Sequence, residues 1–207
     1  QLYQAKGFWK MNQRPIIKSG LLLLIFTAVS IFFVSLTQDS TKDQIKYNEE
    51  QLLIKRLGEL VSGYNNDILQ DKFSKNIHIH GIQQDINIYP AKINEVVFAY
   101  LIEHTYPNGY NGDIRLLTGV DKDNNLLGVR VIAHKETPGL GDKIDIRKSN
   151  WIDQFTGLSL SNPPKSKWKV KRDGGAFDSF TGATITPRAI VSASYQVLEY
   201  FDQHEIK

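Results

Sequence analysis

One stretch near the end of the chain, Asp178 to Ile190 (DSFTGATITPRAI), gathers the residue types that could do chemistry. It holds three threonine hydroxyls, a glycine and small side chains at or just before an expected helix start. Thr186 followed by Pro187 reads as an N-cap and first helical position. Ile190, Val191, Ser194, Val197, Leu198 and Phe201 then recur at helical spacing, which puts Thr184 where the helix begins. A helix N-terminus has unpaired N–H groups and a partial positive charge, and both favour a phosphate placed against it. Gly182 and Ala183 leave room for a bulky ligand to approach the backbone. The plainer alternative is a capped amphipathic helix after a turn, and spacing alone does not choose between the two.

A second stretch, His134 to Ile144 (HKETPGLGDKI), combines Pro138 with Gly139 and Gly141 and carries the carboxylate of Glu136. Such a run is a constrained loop, and loops on rigid strands collect binding residues, although a plain connector has the same composition. Together the two stretches suit a phosphorylated, flat cofactor, its phosphate at the helix and its ring near the loop. His78 and His80 would share one face of a strand, but a metal site there is not expected. No G-x-S-x-G, H-E-x-x-H or Walker A sequence is present, so the hydrolase, zinc-protease and nucleotide-hydrolysing classes lack their signatures.

The elements that must position these stretches read as an α+β fold. From Ile77 the chain turns to short apolar or alternating runs (IHIH, INIY, EVVFAYLIE), bounded by turns such as PNGYNGD at Pro107 to Asp113. EVVFAYLIE is either a buried strand or a short helix. GDIRLLTGVDKDNNLLGVRVIAH reads as an antiparallel hairpin with a five-residue polar tip. A short helix is expected around Asn150 to Phe155, with Trp151 and Phe155 inward. WKVKRDGGAFDSF is expected to give a strand and a glycine turn. Without GxGxxG or repeated βαβ spacing, a dinucleotide-binding Rossmann fold is disfavoured.

The chain has 207 residues, 41% hydrophobic and 23% charged, enough for one main domain and an appendage. A formal charge of +3, with no basic run expected to stand out on the folded portion, gives nucleic-acid binding little support. The absence of cysteine excludes disulfides, cysteine-ligated clusters and thiol catalysis. Ile16 to Leu36 is apolar with Lys18 near its beginning, long enough to span a bilayer, and no A-x-A-like site follows it. Lys6, Lys10, Arg14 and Lys18 precede the span, so the positive-inside rule puts the N-terminus in the cytoplasm and the large domain outside, the periplasm in a bacterium. Residues 1–10, upstream of Met11, are read as an extended start or an added segment, and residues 1–15 as the cytoplasmic end. A juxtamembrane amphipathic helix (Asp43 to Val61, with Ile45, Leu52, Leu53, Leu57 and Leu60) and a polar linker fill residues 37–76. The main domain is expected over 77–207.

The DSFTGAT element matches the D-x-x-[ST]-G-A-[ST] motif of proteins that carry covalent FMN. HKETPGLGDKIDIR with KRDGGAFDSFTGATITPRAIV resembles the G subunit of the Rnf (Rsx) electron-transport complex. The resemblance covers the anchor and most of the chain after Asn108. The C subunit of the sodium-pumping NADH:quinone reductase shares the flavin motif but is less similar. The resemblance implies that Thr184 is joined to the FMN phosphate by a phosphodiester, with Asp178, Thr181, Gly182 and Ala183 completing the recognition motif. It also implies a flavin transferase that uses FAD as donor and displaces AMP with a metal ion assisting, a threonine hydroxyl being a poor nucleophile unaided. Asp178 is a candidate to position or deprotonate Thr184. Glu136, Thr137, Leu140 and Gly141 are the candidates for the wall of the flavin pocket, where backbone N–H groups or Thr137 would bond the ring.

The expected function is therefore that of an electron carrier in a bacterial inner-membrane complex, partnered by that complex's other membrane and peripheral subunits. The resemblance implies a reaction joining reduced ferredoxin and NAD to Na+ or H+ translocation. The alternatives are a component like the C subunit of the sodium pump, or an anchored assembly subunit without redox turnover.

Overall fold

A computed structural model describes residues 13–204, so the segment set apart at residues 1–10 lies outside the described residues. The chain divides into two compact units, one ending at Glu50 and the other beginning at Gln51. Helix α1 (Gln13–Leu60) contributes to both. Within it Pro15–Gln38 is long and apolar enough to cross a membrane, with a mean hydropathy of 2.4 and no burial against protein. The expected span and the expected juxtamembrane helix are one continuous element. The polar stretch after Leu36 holds neither glycine nor proline, and its hydroxyls bond back onto the helix: Thr37 to the Phe33 carbonyl at 2.8 Å, Ser40 to Leu36 at 2.8 Å and Thr41 to Thr37 at 2.9 Å. Thr27 and Ser30 do the same inside the apolar segment, so the hydroxyl protons there are satisfied without water.

The second unit is built on an antiparallel sheet whose strands are ordered as in the chain: β1 (Phe73–Ile79), β2 (Ile82–Ile93), β3 (Val96–Tyr106), β4 (Ile114–Asp121) and β5 (Leu126–Ala133). EVVFAYLIE is thus a strand, paired on both sides. β1 begins at Phe73, so the boundary expected at residue 77 falls inside a strand, and residues 51–76 belong to this unit. Two apolar layers form because side chains alternate along each strand. On one face Ile86, Ile88, Ile102, Leu116, Val120 and Val129 pack with Ile190, Val197, Leu198 and Phe201 of helix α2 (Ile185–Gln203). On the other face Tyr89, Ala99, Leu101 and Leu117 pack with Leu57 and Leu60 near the end of α1. Of the apolar positions expected to line that amphipathic helix, Ile45 is exposed and burial begins only around Leu52.

Two expected local structures differ. WKVKRDGGAFDSF forms no strand of the sheet; it follows a 3-10 turn at Lys165–Lys167 and makes another at Lys171–Asp173. Trp168 and Val170 go inward as they would in a strand. The chain then folds back through Gly174 and Gly175, so its backbone bonds its own residues 176 and 177. The short helix at Asn150–Phe155 is present as a 3-10 turn, with Phe155 fully buried and Trp151 partly so. His78 and His80 do not share a face, because His80 and Gly81 form the β1–β2 turn at φ 60° and 78°. His78 stays exposed while His80 is turned under α2.

Beneath α2, His80 joins a buried polar chain. His80 Nδ1 lies 3.0 Å from Gln196 Oε1, His80 Nε2 lies 2.9 Å from His104 Nδ1, and His104 Nε2 lies 2.9 Å from Thr118 Oγ1. Gln196 spends its amide on Ser192 Oγ at 2.7 Å, so its carbonyl accepts from His80. The direction is then set throughout: Thr118 donates to His104, His104 to His80, and His80 to Gln196, with both rings neutral. Burial pushes the His80 pKa down to about 4 against the opposing bond to Gln196, and burial with the neighbouring ring pushes His104 well below its ordinary value. Because the folded state resists a proton that the unfolded chain accepts near pH 6.5, this chain contributes its full stability above that pH and loses it as pH falls toward 4. The expected loss from His80 is about 3 kcal/mol. Thermal melts at pH 7.5 and 4.5 check this, and replacing both histidines by leucine should make the pH-dependent drop markedly smaller than in the wild type.

Candidate functional site

The residues before α2 are fixed by aromatic packing. Phe177 and Phe180 are buried, the Trp151 and Phe180 ring centroids lie 5.0 Å apart, and Trp151 Nε1 donates to the Asp178 carbonyl at 3.0 Å. The backbone then makes a tight turn, with the Ala183 N–H donating to the Phe180 carbonyl at 3.2 Å. Gly182 sits in it at φ 83°, a conformation that favours glycine. This turn leaves Thr181 exposed and delivers Ala183 and Thr184 to the helix start.

Thr184, not Thr186, flanks the helix, and its side chain makes no capping hydrogen bond. Thr186 lies inside the first turn, buried, with its hydroxyl donating to Glu136 Oε2. The expected cap at Thr186 is therefore a tertiary contact. Ser or Thr reads as a cap from its position in sequence, but its hydroxyl goes to whichever acceptor the fold brings near.

Glu136 is buried and joins three segments. Its Oε1 accepts from the backbone N–H groups of Tyr110 at 2.9 Å and Asn111 at 3.2 Å, and its Oε2 accepts from Thr186. The turn at 107–113, the loop after β5 and the start of α2 thereby meet at one carboxylate. Gly141 leaves room for it, since a Cβ there would stand 2.8 Å from both Glu136 Oε2 and Thr186 Oγ1.

These segments enclose a cavity of about 340 Å³, at the lower end of the range for ligand sites. Its lining brings Glu136, Thr137, Leu140 and Gly141 together with Gly182, Ala183 and Thr184, and adds Tyr110, Ile185 and Thr186. Asp178 does not line it; its carboxylate pairs with Lys171 at 2.6 Å on the exposed surface. Thr181 does not line it either. The N–H groups of Leu140 and Gly141 are both 3.1 Å from the Thr137 carbonyl, so they are not free to bond a ring as expected. The Thr137 hydroxyl accepts from Asn111 at 3.1 Å and keeps its own proton as a donor. Tyr110 escaped the sequence reading because PNGYNGD reads as hairpin punctuation. An aromatic ring between two Asn-Gly-type turn elements was the available signal.

The residues fit a phosphorylated flat cofactor. The helix start offers its partial positive charge with no acidic residue in the first turn. Tyr110, Leu140 and Ile185 are 63%, 42% and 44% exposed around one cavity, an apolar surface suited to be covered by a ring. Removing the Glu136 carboxylate should loosen all three walls. Glu136→Ala strands two backbone donors and should cost about 2–3 kcal/mol, whereas Glu136→Gln keeps an acceptor and should cost about 1 kcal/mol. Unfolding midpoints and proteolysis of the 107–113 turn measure both. Equal stability of the two variants would remove Glu136 from this role.

The FMN-binding domain family matches residues 109–199, and the RnfG N-terminal region matches residues 11–60. Among curated proteins, the G subunit of the ion-translocating oxidoreductase complex of Vibrio atlanticus is 42% identical over 189 residues, covering 90% of this chain and 90% of that protein. The corresponding G subunit of Vibrio cholerae is 42% identical over 190 residues, 91% of each chain. That of Shewanella baltica is 41% identical over 201 residues, 93% of this chain and 92% of its own. At that identity and coverage, and with the cavity falling inside the FMN-binding match, the chain belongs to the family of G subunits of ion-translocating oxidoreductase complexes.

Proposed function

We propose that this chain carries FMN covalently, its phosphate joined to Thr184 Oγ1 as a phosphodiester, and that it passes electrons within the complex. The observation that carries the reading is the Thr184 hydroxyl, which lies at the cavity wall beside a helix N-terminus and is not consumed in capping. Phosphate at that position meets the positive end of the helix dipole. When bound, FMN supplies one- and two-electron redox chemistry. The protein supplies the rest: Tyr110, Leu140 and Ile185 flank the ring, Thr137 offers one hydroxyl proton, and Glu136 keeps the walls in register.

Attachment by a flavin transferase forms the bond from Thr184 oxygen to phosphorus while the pyrophosphate of the FAD donor is cleaved, AMP departs and the hydroxyl proton is released to solvent, a metal ion of the transferase assisting. Asp178 and Thr181 are exposed and stand off the cavity, which suits residues read by another protein better than a base acting on Thr184. The membrane span and the basic residues before it support a single-pass inner-membrane anchor with the flavin domain on the periplasmic side. There a covalent bond prevents loss of the cofactor. The overall reaction we assign to the complex joins reduced ferredoxin and NAD to Na+ or H+ movement.

Co-expression with the transferase, followed by a denaturing gel and intact mass, tests the attachment. Wild type should fluoresce and carry one FMN, Thr184→Val should carry none, and Asp178→Ala should carry several-fold less while melting at the wild-type temperature. An adduct that survives in Thr184→Val sinks the assignment of the acceptor, and a wild type without any adduct favours a non-redox assembly role.

A further inference from the structure

A basic run does stand out on the folded portion, contrary to expectation: residues 165–172 read KSKWKVKR. Trp168 and Val170 are buried, packed among Phe155, Phe177 and Tyr195, while Lys165, Lys167, Lys169, Lys171 and Arg172 are exposed. The backbone is held by bonds from Ala176 N to the Lys167 carbonyl at 2.9 Å, from Phe177 N to Lys169 at 3.1 Å and from Lys171 N to Phe177 at 2.6 Å. Alternation therefore does here what it does in a strand, fixing the apolar side chains inside and presenting the cations outward on a stiff support.

Arg188 of α2 extends this face. Three carboxylates answer it: Glu199 pairs with Lys165 at 2.9 Å, Asp178 with Lys171 at 2.6 Å and Asp173 with Arg188 at 2.6 Å. Lys167 donates only to the Gly174 carbonyl, and Lys169 and Arg172 make no ion pair among the described residues. The face thus keeps a net positive charge. It borders an open cleft of about 660 Å³, walled by Trp168, Val191 and Tyr195, with Lys165, Lys169, Arg188 and the Arg188-paired Asp173 also lining it. Arg188 lies four residues along α2 from Thr184, a rise of about 6 Å, so whatever occupies this cleft stands beside the cavity.

We propose that this basic face and its cleft are the docking surface for an acidic, protruding segment of another subunit of the complex. The relatives are named as parts of a multi-subunit assembly, so a protein partner is at hand. A concave cleft with aromatic walls takes an inserted side chain, whereas a flat layer of anionic headgroups would leave it unfilled. Opposite charge steers the encounter and fixes its register, and the apolar wall supplies contact area. The inference rests on membership of the assembly and is independent of the Thr184 reading.

The test is zero-length carbodiimide cross-linking of the intact complex, with the products mapped by mass spectrometry. Lys165, Lys167, Lys169 and Lys171 should join to aspartate or glutamate residues of one other subunit. The yield should fall at least tenfold at raised ionic strength, and by as much in the triple variant Lys167→Glu, Lys169→Glu, Arg172→Glu. The milder pair Lys169→Ala and Arg172→Ala should lower it several-fold without disturbing the fold. Gel fluorescence of each variant separates this reading from the flavin reading, because the adduct should be present in all of them. The proposal is overturned if these lysines cross-link only within this chain while lysines elsewhere reach other subunits. It is overturned equally if their protection from acylation follows the anionic lipid content of nanodiscs and not the presence of the partner subunits.

Discussion

The cavity depends on one buried carboxylate. A charge removed from water is costly unless donors surround it, and Glu136 finds its donors on chain segments far apart in sequence: two backbone N–H groups of the 107–113 turn and a hydroxyl in the first turn of α2. Satisfying that charge forces the three segments to meet. The space left among them is the cavity, and position 141 beside the carboxylate is a glycine because a side chain there would crowd Glu136 and Thr186. A residue that reads as a direct ligand contact from its loop position acts instead as the tie that shapes the wall.

The rest of the fold gives that tie a fixed frame. The sheet is covered on both faces, by α2 on one and by the end of α1 on the other, and each face carries a polar device within its apolar layer. On the α2 side the His80–His104–Thr118 chain spans β3, β4 and the β1–β2 turn and reaches Gln196, so the helix that begins at Thr184 is held along its length by directional bonds as well as by packing. On the α1 side Arg56 pairs with Glu59 at 2.9 Å and Asp145 at 3.0 Å, while Arg130 of β5 pairs with Glu59 at 2.9 Å and Asp153 at 3.1 Å. Burial alone would push the Asp145 carboxyl up, but hydrogen bonds from Arg147 and the charges of Arg147 and Arg56 outweigh it and hold the group below its ordinary value. Buried pairs of this kind contribute less to net stability than to fixing which surfaces meet.

Electrostatics of opposite purpose lie along one helix. Its start, free of acidic residues in the first turn, suits a phosphate, and its flank, with Arg188 and the lysines of 165–171, suits an acidic protein surface. Their closeness along α2 follows from the chain: the basic run, the glycine turn and the flavin motif are consecutive, and the aromatic side chains between them bury together under the same helix.

Much of this was legible in residue order. The apolar run of 16–36, the alternation of the strands, the helical spacing from Ile190 to Phe201 and the turn before α2 at Gly182 are local properties, set by side-chain pattern and backbone preference. Sequence alone therefore determined a helix long and apolar enough to cross a membrane, the α+β class and a start of α2 close to Thr184, and resemblance singled out the motif and the loop. What it misjudged were matters of partner. Thr186 reads as a cap yet bonds Glu136, WKVKR alternates like a strand yet finds no neighbouring strand, and His80 reads as half of a surface pair yet turns inward to His104. Tyr110 lies in a turn that says nothing about a cavity. For Thr186, His80 and Tyr110 the deciding contact comes from a segment tens of residues away, while WKVKR bonds the chain that folds back on it, and hydrogen-bond demand in a dry interior is settled by which groups the fold brings within reach.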